Sequence, residues 1–224
     1  MEKPSDFGVK KTILSRSLAS HRIVQDFVSF IIRNKKFPWL PKDPPKEYLN
    51  CGCGSNIREE FINLDRVWQP GIDLCWDVSR KLPLSNSLLK GIYAEHLLEH
   101  FSFQKAVPLL AEFKRVLSKG GILRLVVPDA ELYLDLYQSA KQGKEVSFPY
   151  IKKDLNLTPL MYVYEVFRKH EHQSAYDFET LRVLLQKAGF SHVTRCCFKQ
   201  GQDVNLLIDI EWRKIESLYV EAVV

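Results

Sequence analysis

No apolar stretch of this 224-residue chain approaches the ~20 residues that a membrane-spanning helix needs; the best, Phe27 to Ile32, is interrupted by Ser29. Residues Met1 to Val9 carry Glu2, Pro4 and Asp6 and no apolar h-region, which argues against a secretory signal. Cysteine is sparse and odd in number, five in all, without framework spacing. That excludes a disulfide-stapled scaffold and leads us to expect a reducing, cytoplasmic setting. Internal repeats and low-complexity tracts are also missing. What remains is ordinary globular composition, 46% hydrophobic and 26% charged, too apolar for a disordered chain.

Basic residues exceed acidic ones by 32 to 27, and residues 1–36 hold the whole excess. They carry Lys3, Lys10, Lys11, Arg16, Arg22, Arg33, Lys35 and Lys36 against Glu2, Asp6 and Asp26. The rest is balanced, which disfavours a nucleic-acid partner. Leu18, Ile23, Phe27 and Phe30/Ile31 recur at helical spacing, so an amphipathic helix is expected. Its simplest role is packing on the domain, and its sharper one is contact with an anionic membrane or a phosphorylated acceptor. Pro38, Pro41, Pro44 and Pro45 form a stiff connector, dividing a 1–45 extension from a 46–224 domain.

Within that domain, short β-rich runs alternate with helical patterns. Strands are expected at Tyr48–Cys51, Phe61–Leu64, Ile72–Trp76, Gly91–Ala94, Ile122–Val127, His192–Phe198 and Leu218–Val223. Helices are expected at Phe103–Leu117, stopping at Gly120–Gly121, and at Glu131–Lys141 and Phe178–Ala188. The near-continuous apolar run 122–127 suits a strand covered on both faces. The alternation argues for an α/β fold, an open, mostly parallel sheet with helices on both faces. Residues 143–175 carry a weaker signal and are read as a cap over the site.

The first strand runs into Cys51-Gly52-Cys53-Gly54-Ser55, a tight turn whose free amides could receive a negative group. A dinucleotide fingerprint would need Gly or Ala at position 57, where Ile57 stands, and an acid ~20 residues on. Instead Asp65 ends the second strand and Asp77 follows the third. Each could be a mere turn residue. Together they favour a nucleoside without pyrophosphate, with Asp65 on the ribose hydroxyls and Asp77 on the adenine amine.

The stretches LNCGCGSNIREEFINLD, WDVSRKLPLSNSLLKGIYAEHLLEH and EFKRVLSKGGILRLVVPDAE resemble class I S-adenosylmethionine-dependent methyltransferases. The nearest likeness is to the small ones associated with polysaccharide and glycan biosynthesis, and the ending HEHQSAYDFETLRVLLQKAGF through ESLYVEA fits that subgroup too. The resemblance covers 46–224. It implies a Rossmann-like seven-stranded sheet whose last strand is antiparallel. It also implies S-adenosylmethionine as cofactor, with Asn50, Cys51, Gly52, Cys53 and Gly54 at its methionine part, Asp65 on the ribose, and Asp77 and Val78 at the adenine. Glu95 and His96 would sit beside the sulfonium and the acceptor. Asn50 stands where an acid is usual and so lacks its charge. The link from Gly54 to Phe61 is too short for the usual crossover helix.

Methyl transfer to an oxygen or nitrogen is the implied activity, with His96, His100 and Glu95 as catalytic candidates and His172 a distant fourth. A sugar or glycan hydroxyl is the first acceptor and another small molecule the second; a cofactor-binding module without turnover is a different class of reading. A zinc hydrolase is a remote third, because His96-Leu97-Leu98-Glu99-His100 matches an inverted zinc-peptidase motif. That motif would need one continuous helix, whereas here it follows a strand-like GIYA directly. No metal is expected: Cys51/Cys53 and Cys196/Cys197 are too close for zinc pairs, Cys75 reads as strand core, and His170 and His172 read as loop residues.

Overall fold

The computed structural model describes residues 24–31, 45–150 and 157–224. Seven strands form one sheet: β1 (Tyr48–Cys51), β2 (Phe61–Asp65), β3 (Leu74–Cys75), β4 (Leu89–Glu95), β5 (Leu117–Pro128), β6 (His192–Cys196) and β7 (Ser217–Val223). Their spatial order is β3-β2-β1-β4-β5-β7-β6. All pairs are parallel except those of β7, which runs antiparallel to β5 and β6. Helices flank the sheet: α1 (residues 24–31), α2 (Phe103–Val116), α3 (Ala130–Lys141), α4 (Pro159–Arg168) and α5 (Phe178–Lys187). Asp129 caps α3 by accepting from the Glu131 and Leu132 amides, and Asp177 caps α5 by accepting from Thr180. Among the described residues, no helix is long and apolar enough to cross a membrane.

Side-chain alternation gives the sheet two unlike faces. Leu49, Ile62, Leu64, Ile92, Leu123, Leu125 and Val220 are buried in one core with Leu110 and Phe113 of α2 and Leu181 and Leu185 of α5. The other face carries a polar row in strict register, in which Asn63 pairs with Asn50, Asn50 with Tyr93, Tyr93 with Arg124 and Arg124 with Glu221. Segment 122–127 is therefore covered on both faces, as read, but not by apolar matter alone, since Arg124 is fully buried.

Arg124 uses all five of its donors. It gives Nε and Nη2 to Asp209 (2.8 and 2.6 Å), Nη1 to Glu221 (2.9 Å) and the Gln200 carbonyl, and Nη2 to the Cys197 carbonyl. Residues 197–210 are thereby fastened onto the sheet, with the Lys199 and Gln202 amides donating to the two carboxylates.

The crossover between β1 and β2 contains no helix. Asn50 and Asn63 brace it instead: Asn50 Nδ2 donates to the Asn56 carbonyl (2.7 Å) and Asn63 Nδ2 to the Arg58 carbonyl (2.8 Å). The Gly120–Gly121 pair does not end the preceding helix. That helix stops at Val116, Leu117 already pairs with Leu89, and the register shifts before Ile122 meets Gly91. Gly120, at φ 76°, absorbs the extra residues as an irregularity inside β5. Most of the expected 1–36 helix lies outside the described residues. In its 24–31 part, Ser29 is buried and its hydroxyl accepts from the Trp68 amide, whereas Val24, Phe27 and Phe30 are exposed.

Candidate functional site

Two cavities lie at the carboxyl ends of the central strands, where ligands of open α/β sheets collect. The smaller, about 380 Å³, is lined by Gly52, Asp65, Trp76, Asp77, Val78 and Leu97, among others. The larger, about 730 Å³, is lined by His96, Tyr133, Tyr150, His172, Trp212 and Arg213, with further residues of 149–150 and 157–172. His100 lines both.

The glycine turn is closed on itself. The Gly52 and Cys53 amides donate to the Leu64 carbonyl (2.8 and 3.1 Å), and the Gly54 amide donates to Asp65 Oδ2 (2.9 Å). These amides are not free to receive an anion, which corrects that expectation and removes the basis for a phosphate cradle. Gly52 sits at φ 69° with Leu97 packed against it, so that a Cβ would lie 2.9 Å from Leu97 Cδ1. Gly54, at φ 49°, faces open space. We therefore expect Gly52→Ala to lower stability by about 2 kcal/mol and Gly54→Ala by roughly half that, read from thermal unfolding. Cofactor titration should show the larger loss of affinity in Gly52→Ala, because Gly52 and Leu97 line the smaller cavity.

Asp65 Oδ1 accepts from the Val67 amide (2.8 Å), so that carboxylate braces the turn while lining the cavity. Burial would raise Asp77, but the hydroxyl and amide of Ser79 outweigh it and hold the carboxyl below its ordinary range. Val78 is buried beside it. Asn50, Cys51, Cys53, Gly54 and Glu95 do not line either cavity. Burial pushes the Cys53 thiol up to about 12 and Cys51 well above the usual thiol range, so both are protonated packing groups.

Glu95 ends β4 with its carboxylate accepting from the Ile210 amide (3.3 Å) and 4.0 Å from Arg213. Burial raises it and Arg213 offsets part of the rise. His96 stands at φ 49° with Nε2 3.1 Å from Ser217 Oγ. Burial drives its imidazole down to about 2, so at neutral pH it is uncharged and engaged as a hydrogen-bonding group. His100 is lowered by burial and by His172, to a direction that keeps it neutral.

His96-Leu97-Leu98-Glu99-His100 is not one α-helix: β4 ends at Glu95 and only Leu98–His100 turns, as 3-10 helix. The zinc-peptidase arrangement, with both histidines on one helical face, is absent from it. His172 instead arrives from beyond α4, edge-on to His100 with ring centroids 5.0 Å apart. His170 and Glu171 both adopt left-handed φ (58° and 65°), uncommon for such residues, in turning the chain there. The sequence contained the signal for His172 only as a polar His-Glu-His cluster. Glu171 belongs to that same cluster, whereas Lys105 and Gln173, which also line the smaller cavity, carried none.

No family model and no curated protein matches the sequence. Among solved structures it is similar to a SAM dependent methyltransferase from Archaeoglobus fulgidus, with 16% identity over 89% of this chain and 94% of that one and a TM-score of 0.49. It is also similar to an S-adenosylmethionine dependent methyltransferase from Mesorhizobium loti, with 15% identity over 83% and 94% and a TM-score of 0.49. A provisionally assigned O-methyltransferase from Nostoc punctiforme shares 17% identity over 62% of this chain, which spans 32% of that protein's length, with a TM-score of 0.36. Likenesses this distant carry no weight for activity, and the fold stands on the strand order itself.

Proposed function

We propose that the protein transfers a methyl group from S-adenosylmethionine to an oxygen or nitrogen of an acceptor held in the larger cavity. The observation that carries this is the pairing of a glycine turn, its Gly52, Cys53 and Gly54 amides already engaged, with two carboxylates, Asp65 and Asp77, around a nucleoside-sized cavity that shares His100 with a second one. Bound there, the cofactor supplies a methyl already activated by its sulfonium. Gly52 keeps the turn close beneath the methionine part, with Asn50, Cys51, Cys53 and Gly54 supporting it from behind. Asp65 accepts the ribose hydroxyls, and Asp77 with Val78 holds the adenine edge. Glu95 lies beside the sulfonium end of β4. The chain's main contribution is alignment, because holding donor and acceptor atoms ~3–3.5 Å apart and in line removes most of the entropic barrier. His100, at the junction, meets the acceptor.

A sugar hydroxyl is the favoured acceptor. Tyr133, Tyr150 and Trp212 offer apolar ring surface in the larger cavity, and Glu165, Arg213 and Glu216 offer polar atoms, a mixture suited to a carbohydrate. The described parts of 143–175, residues 143–150 and 157–175, serve as its cover. The exposed Val24, Phe27 and Phe30 favour peripheral contact of the basic extension with an anionic surface that carries such an acceptor. The five cysteines are free, in keeping with a cytoplasmic setting. Asn50, uncharged and engaged with the crossover, supports the second reading, a cofactor-binding module without turnover.

The deciding experiment is tritiated-methyl transfer into fractionated extract of the source cells, followed by identification of the labelled product. Tight cofactor binding with no labelled product on any fraction would favour the second reading. His100→Gln should lower kcat by ~10²-fold or more while S-adenosylhomocysteine affinity stays within about threefold. An unaltered kcat would remove His100 from the reaction.

A further inference from the structure

Glu99 is a carboxylate in the wrong place for one. It is 1% exposed, and neither of its oxygens has a hydrogen bond among the described residues. A buried carboxyl with neither oxygen partnered is costly, charged or not, and that cost points to a missing partner. What faces it is imidazole. His172 Nε2 lies 4.0 Å from Glu99 Oε1, and a ligand atom of His100 lies within 4.8 Å of both residues' ligand atoms.

The histidine is oriented for this. His172 Nδ1 is 2.7 Å from the Val166 carbonyl, which can only accept, so the ring proton sits on Nδ1 and the lone pair of Nε2 turns toward the carboxylate. A lone pair facing a carboxylate at that distance is repulsive unless a proton or a metal cation lies between them, and 4.0 Å is too long for a directly shared proton. A ring N–H given to a backbone carbonyl is also the support that metal-bound histidines characteristically have. The placement is rigid: the Gln173 and Ser174 amides donate to the Glu99 carbonyl (2.8 and 3.2 Å), and Ser174 Oγ donates to the Phe101 carbonyl (2.8 Å). His96 Nδ1 is 3.4 Å from the same Glu99 Oε1, but its Nε2 is bonded to Ser217 and it does not share the mutual spacing of Glu99, His100 and His172.

We infer that Glu99, His100 and His172 together bind one divalent transition-metal ion of the zinc type, in the wall between the two cavities. Two imidazoles and one carboxylate suit zinc and its first-row neighbours, whereas magnesium and calcium prefer oxygen ligands throughout. Ligands ~2.0–2.1 Å from a tetrahedral ion are about 3.3 Å apart, so His172 and Glu99 need to close by less than 1 Å. The donor set differs from the inverted-peptidase motif in using His172 in place of His96. His100 and His172 both line the larger cavity, so an acceptor hydroxyl can join the ion there and lose its proton more readily. That role rests on the methyl-transfer reading, in which His100 then acts through the ion rather than as a free base; the metal site itself does not.

The test is calorimetric titration of the full chain, stripped with EDTA and dialysed, with zinc chloride and in parallel with magnesium chloride. One zinc per chain at submicromolar Kd, with no magnesium heat, is expected. Glu99→Gln and His172→Gln should each weaken zinc by ~100-fold, and so should His100→Gln, whose half-buried side chain makes it the variant least disturbing to folding. The cobalt-loaded protein should show visible d–d bands without thiolate charge transfer. Absence of saturable zinc binding in the micromolar range, unchanged affinity in all three variants, or a thiolate band would overturn the site. S-adenosylhomocysteine titrated into the same samples reports separately: its failure to bind alongside intact zinc binding sinks the methyl-transfer reading and leaves the metal site standing.

Discussion

Asp65→Ala should raise the dissociation constant for S-adenosylhomocysteine by ~10²–10⁴-fold in calorimetry, to the point of no detectable binding. The carboxylate has two tasks. It accepts from the Gly54 and Val67 amides within the protein, and it lines the smaller cavity where it would accept a vicinal diol. Each charge-assisted hydrogen bond to a ligand hydroxyl is worth about 1.5–3 kcal/mol, and removing two gives the range above. Asp65→Asn separates the tasks. The amide oxygen can still hold one backbone amide, so the turn survives, while the charge and one acceptor are lost; we expect an intermediate defect with thermal stability close to the parent. Unchanged affinity in Asp65→Ala would remove the ribose assignment, and with it the nucleoside reading of the cavity.

Arg124→Met should cost about 3–5 kcal/mol of folding stability, the usual consequence of stranding buried carboxylates by deleting their cation. For a domain of this size that corresponds to a fall of roughly 6–20 °C in melting temperature. Asp209 and Glu221 are wholly buried and both depend on Arg124. Combining Arg124→Met with Asp209→Asn and Glu221→Gln should recover much of the loss, since no uncompensated charge then remains. The effect reaches the site as well. Arg124 pins the segment that continues to Ile210, whose amide meets Glu95, and to Trp212 and Arg213 in the larger cavity. Transfer by the single variant should therefore fall at temperatures well below its melting point. A melting temperature within a few degrees of the parent would show that the network contributes nothing net.

The regular framework was legible because its signals are local. β1 spans the four residues expected, α2 ends one residue short of its expected end, and β7 begins one residue before its expected start. β3 is two residues rather than the expected five, yet the Asp73 and Trp76 amides on either side still donate to β2 carbonyls, so the shorter strand reflects an edge whose pairing is irregular. Helix α4 was hidden. Leu160, Met161 and Tyr164 are exposed while Val163 is buried, leaving no clean polar face to give a period. Arg124 was visible as a lone cation in an apolar run, but its partners Asp209 and Glu221 lie 85 and 97 residues away, beyond the reach of any spacing rule. The same holds for His172 and Glu99. Asp65 and Asp77 were readable because strand ends mark themselves by the loss of apolar pattern, and both do line one cavity.

The antiparallel strand has a consequence for how the molecule is made. β7 is the last strand in sequence and yet stands between β5 and β6 in space. Until β7 has been made, β5 is an open border, β6 lacks its partner strand, and Arg124 has Asp209 but not Glu221. Assembly of that half of the sheet is thus postponed until translation has passed residue 223, and the incomplete nascent chain is the form most in need of a chaperone.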